Sequence, residues 1–62
     1  MSQDELRTRL CTFLKSEGTT QKFVANKLGI DEPDLSKFKN KKGKLFSSDI
    51  DRLDDFLVEK GY

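Results

Sequence analysis

The chain has 62 residues, 37% of them charged and 34% hydrophobic, and a formal net charge of only +1. That length supports one small domain with a modest core, and that mixture excludes a disordered chain. No apolar run approaches the roughly 20 residues that a membrane-spanning helix needs.

The opening residues, Met1-Ser2-Gln3-Asp4-Glu5, are acidic and do not form a signal-peptide pattern. Ser2 is a candidate cap with Glu5 three residues on, and Asp4 and Glu5 suit the positive end of a helix. Leu6, Leu10, Phe13 and Leu14 recur at helical spacing and predict one apolar stripe up to about Glu17, with Gly18 as the stop. Cys11 lies beside that stripe and reads as a packing residue. It is the only cysteine, and there is no histidine. An internal disulfide, a cysteine-rich zinc site and histidine-based catalysis are therefore excluded. The expectation is a non-enzyme without cofactor or metal, in a reducing cytoplasmic compartment with no membrane association.

Thr20 is a good cap for a second helix running to about Leu28, with Val24 and Leu28 inward. Gly29 supplies the backbone freedom for a tight turn. Asp31 is placed to cap a third helix, and Pro33 fits only its first turn. Proline disfavours helical geometry at Glu32, so the start is ambiguous by a residue. The end falls near Lys39 or Asn40. The small Ala25 permits close crossing, with Leu28, Ile30, Leu35 and Phe38 as the seam. Residues 40–47 read as a loop from which Leu45 and Phe46 tuck back onto the core. Ser47 or Ser48 then caps a fourth helix to about Lys60, ended by Gly61. Ile50, Leu53 and Leu57 face inward, widened by Phe56 and Val58. The phenylalanines Phe38, Phe46 and Phe56 read as core. Phe23 either packs on the first helix or forms a partly exposed contact surface. The fold class is all-α, a compact four-helix domain over residues 1–62 containing a helix-turn-helix at about 20–40.

Charge is polarised along the chain. Lys37, Lys39, Lys41, Lys42 and Lys44 crowd one stretch, and Asp49, Asp51, Asp54, Asp55 and Glu59 crowd the next. A chain neutral overall can still carry one basic face. Adjacent Asp54 and Asp55 point in different directions on a helix and make no acid/base pair.

The block T-Q-K-F-V-A-N-K-L-G-I-D-E-P-D-L-S-K-F-K-N resembles the lambda-repressor-like, or Cro/XRE-type, helix-turn-helix. The resemblance rests on Thr20-Gln21, Ala25, Leu28-Gly29-Ile30, Leu35-Ser36 and Lys37-Phe38-Lys39-Asn40, about a third of the chain. It implies a domain that binds operator DNA, often as a dimer. Glu32, Pro33, Ser36 and Lys37 match positions that face base edges. Gln21 and Asn40 match positions that touch phosphates. Lys39, Lys41 and Lys42 are added to the phosphate set on charge. Lysine can donate to guanine O6 and N7, serine to several bases, and a carboxylate can accept from cytosine N4. Lys41 stands where the family commonly has glycine, and Phe23 where it commonly has a polar residue.

The functional expectation is a small transcriptional regulator that acts by occupying double-stranded DNA. Phe56, Val58 and Tyr62 are the candidate homodimer surface. The rival reading is a protein-binding module, such as an antirepressor or adaptor, that uses its acidic faces on another regulatory protein.

Overall fold

The computed structural model describes residues 3–62, so the expected Ser2 cap lies outside the described residues. Among them are four helices and no strand: α1 (Gln3–Glu17), α2 (Gln21–Leu28), α3 (Glu32–Lys39) and α4 (Ser47–Glu59). Leu6, Leu10, Phe13 and Leu14 of α1 meet Val24 and Ala25 of α2, Leu35 and Phe38 of α3, and Leu53, Phe56 and Leu57 of α4. Ile30 and Leu45, from the connecting segments, complete this one core.

Each helix stops for a local reason, and α2 also starts for one. The Thr20 hydroxyl accepts from the Phe23 N–H at 3.2 Å, which satisfies one of the free donors of α2. Asp31 stands at the cap of α3 but makes no side-chain capping bond. Pro33 sits in the first turn, and Glu32 is already helical despite it. All four helices stop in the same way. Just past each helix a backbone N–H donates to the carbonyl five residues back: Thr19 to Leu14, Ile30 to Ala25, Lys42 to Lys37 and Tyr62 to Leu57. This closure requires a left-handed residue just before the donor. Gly18, Gly29 and Gly61 provide it at three ends, and Lys41 provides it at the fourth with φ 64°.

The structure corrects several expectations about the core. Leu45 is buried, but Phe46 is 76% exposed. The two are neighbours, and the backbone is extended at Phe46, so their side chains leave in opposite directions and only one can face inward. Phe46 itself occupies the cap position of α4, without a capping bond, and Ser47 is already helical. Val58 is 62% exposed, because helical spacing puts it on the side of Asp51, Asp54 and Asp55 rather than that of Leu53 and Leu57. Leu28 is only half-buried, in the last turn of α2 where the seam meets solvent. Phe56 belongs to the core, its ring edge-to-face with Phe13 at 5.3 Å. Its proposed place on a dimer surface is thereby withdrawn. Tyr62 is half-buried against the same cluster, also edge-to-face with Phe13 at 5.3 Å.

Candidate nucleic-acid interface

α3 is held from beneath and from one end. Leu35 and Phe38 are fully buried. Arg7 of α1 reaches across, donating from Nε to the Phe38 carbonyl at 2.6 Å, with its guanidinium 4.9 Å from the centre of the Phe38 ring. Asp4, one turn earlier on α1, pairs with Arg7 and fixes its direction. The carbonyl end of a helix carries partial negative charge, so a guanidinium there is well placed. α2 braces the other end. The Gln21 amide donates to the Glu32 carboxylate at 3.2 Å, so the first residues of the two helices form one unit.

With these anchors in place, helical spacing turns Pro33, Ser36, Lys37 and Asn40 to the outward side of α3. Pro33, Lys37 and Asn40 are exposed and Ser36 is half-buried. The Asn40 amide lies 3.5 Å from the Ser36 hydroxyl along this stripe. Lys39 is different. It follows Leu35 by four residues, shares its inward flank and is half-buried, apart from Lys41 and Lys42. Glu32, half-buried against Gln21, sits at the inner edge of the stripe.

The loop after α3 keeps close to it. A side-chain carbon on Gly43 would come within 3.3 Å of the Lys37 Cβ, so this backbone lies along the stem of Lys37. Lys41, Lys42 and Lys44 are exposed beside it. Among the described residues, no lysine of the 37–44 stretch pairs with a carboxylate. The ion pairs use arginines instead: Arg7 with Asp4, Arg9 with Asp54 at 2.6 Å, and Arg52 with Asp49 at 3.8 Å. Arginine suits fixed contacts because its planar fork makes several bonds at once. Arg9 makes a second, from Nε to the Tyr62 carbonyl at 2.8 Å. The fold thus uses its arginines and leaves Lys37, Lys41, Lys42 and Lys44 to solvent.

Sequence reasoning singled out neither Arg7 nor the approach of Gly43 to Lys37. The only signal for Arg7 was its spacing from Asp4, three residues back on the same helix. The structure brings Gln21 and Glu32 into contact, gathers Pro33, Ser36, Lys37 and Asn40 on one face, and sets Lys41 and Lys42 at its end. It separates all of these from Val58 and Tyr62, which lie on and just beyond α4.

No protein-family model, characterised protein or solved structure matches this chain.

Proposed function

We propose that the chain is a small DNA-binding transcriptional regulator in which α2 and α3 form a helix-turn-helix and α3 enters the major groove. The observation that carries this reading is the contrast across α3. One side is fixed by Leu35, Phe38 and Arg7, while the other offers polar groups and ends in unpaired lysines. A rigid helix with a free polar face suits base-edge readout, and lysines around it suit phosphates. The connection Gly29-Ile30-Asp31 is short, with Ile30 buried, which supports a fixed angle between the two helices. Ser36 and Lys37 are assigned to base edges. Lys41, Lys42, Asn40 and the second amide proton of Gln21 are assigned to phosphates.

The test is a titration against random-sequence duplex at two salt concentrations, followed by sequencing of the bound fraction. Lys42→Ala is expected to weaken binding equally on all sequences and to lower the salt slope by about one unit. Lys37→Ala is expected to cost about 1–3 kcal/mol on the preferred site and to relax preference at one position. Glu32→Gln keeps the hydrogen bond to Gln21 in reach and removes only the charge. Binding that strengthens everywhere identifies Glu32 as repelling the backbone, and lost preference at one base pair identifies it as accepting from cytosine. A parent that binds no duplex at low salt overturns the proposal.

A further inference from the structure

Away from α3, a groove of about 320 Å³ opens between the end of α1, the outer side of α2 and the end of α4. Three aromatic rings line it: Phe13, Phe56 and Phe23. The first two are core residues packed edge-to-face, but Phe23 is 52% exposed, a large ring turned toward solvent beside an open cleft. Two lysines stand at the rim, Lys27 from α2 and Lys60 just past α4. Lys60 Nζ lies 5.7 Å from the centre of the Phe56 ring, and neither lysine has a carboxylate partner among the described residues. One acid, Glu17, stands at the rim as well; its carboxylate lies 3.0 Å from the Tyr62 hydroxyl and keeps its charge. The cleft is therefore aromatic within, and its edge carries two ammonium groups against one carboxylate. Its volume is at the low end for a small-molecule pocket and suits one or two side chains of a larger partner.

We infer that this groove docks an acidic peptide segment of another protein, one that inserts a large apolar side chain among the three rings while its carboxylates meet Lys27 and Lys60. The charge pattern decides the partner: two unpaired ammonium groups, outnumbering the single Glu17 carboxylate beside exposed aromatic surface, favour carboxylates flanking an apolar anchor over a basic segment. None of these lining residues belongs to α3 or the lysine loop, so the site goes beyond the DNA-binding reading and is compatible with simultaneous occupancy of both surfaces.

The experiment is a nuclear magnetic resonance titration of the full chain with three short synthetic peptides. One carries a central phenylalanine among aspartates, one replaces that phenylalanine by alanine, and one replaces the aspartates by lysines. The first peptide is expected to shift the resonances of Phe23, Lys27, Phe56 and Lys60, and to do so less strongly as salt rises. The other two are expected to leave them in place. Phe23→Ser and Lys27→Glu alter exposed positions, keep the helical spectrum, and are each expected to weaken the first peptide about tenfold or more. Four results overturn the inference: no shift at millimolar peptide, equal shifts with the lysine peptide, shifts confined to α3, or concentration-dependent shifts of the groove without peptide, which would assign it to a second copy of the chain. Failure here leaves the duplex titration unaffected, because that titration reads DNA binding and its variants lie on α3 and the lysine loop, outside the groove.

Discussion

Lys41 holds the one left-handed backbone position in the described chain that is not a glycine. For a residue with a Cβ, that conformation costs about 1–2 kcal/mol, and glycine avoids most of it. The other three helix ends take the glycine. At the end of α3 the chain instead keeps an ammonium group, beside Lys42 and next to the outward stripe. A strained residue near a proposed contact surface motivates a functional role for its side chain. Two substitutions separate strain from contact. Lys41→Gly is expected to raise stability by about 0.5–1 kcal/mol, part of the relief being lost to the freer unfolded chain. Lys41→Ala retains a Cβ and is expected to melt close to the parent. If the ammonium meets a phosphate, both lose duplex affinity to the same extent and both lower the salt slope by about one unit. A glycine variant that melts lower than the parent would remove the strain argument, and one that binds DNA as well as the parent would remove the contact.

At the scale of the element, α3 is only eight residues long, and its position depends on its neighbours more than on its own helical tendency. Leu35→Ala and Phe38→Ala are each expected to cost about 2–5 kcal/mol, a large share of what so small a domain has. Leu28→Ala, at the solvent rim of the same seam, is expected to cost clearly less. Arg7→Met keeps the apolar stem but loses the bond to the Phe38 carbonyl and the contact with its ring, for about 1–3 kcal/mol. Urea midpoints with an unchanged slope measure all four. Equal losses at Leu28 and Leu35 would contradict the burial difference. The limits set by Thr20, Gly18, Gly29 and Gly61 were legible in the sequence because these residues act on their own neighbours, whereas the start of α4 at Phe46 and the closure of α3 by Lys41 carry no such signal. The positions that the resemblance implied for α3 divide: Pro33, Ser36 and Lys37 share the outward stripe, whereas Glu32 lies at its inner edge against Gln21. Phe46, Val58 and Arg7 were not legible, because each depends on which face another element covers. Hydrophobicity alone assigned Phe46 to the core, but its neighbour Leu45 had taken the inward direction.

At the scale of the whole molecule, the question is how many copies act together. On the proposed DNA-binding reading, one α3 would span few base pairs, so useful affinity would favour a second copy on a two-fold site. Phe56 is in the core and Tyr62 is tied to Phe13 and Glu17, so Val58 is the remaining candidate of the three for a contact between copies. Val58 shares its side of α4 with Asp51, Asp54 and Asp55, and of these only Asp54 is neutralised, by Arg9. A two-fold contact through this face would bring like charges together around one small apolar side chain. Such pairing must therefore strengthen as salt rises and screens the acids. Binding to DNA has the opposite dependence, since it releases counterions. Sedimentation at rising salt, without DNA, distinguishes the two. Val58→Asp is expected to leave the melting curve in place and to abolish any association that passes through α4. Phe56→Lys is expected to unfold the domain, because it buries a charge where Phe13 now packs. A parent that stays monomeric at every salt concentration, and saturates a two-fold site without cooperativity, would mean that each copy binds on its own and that the acidic face of α4 keeps the copies apart.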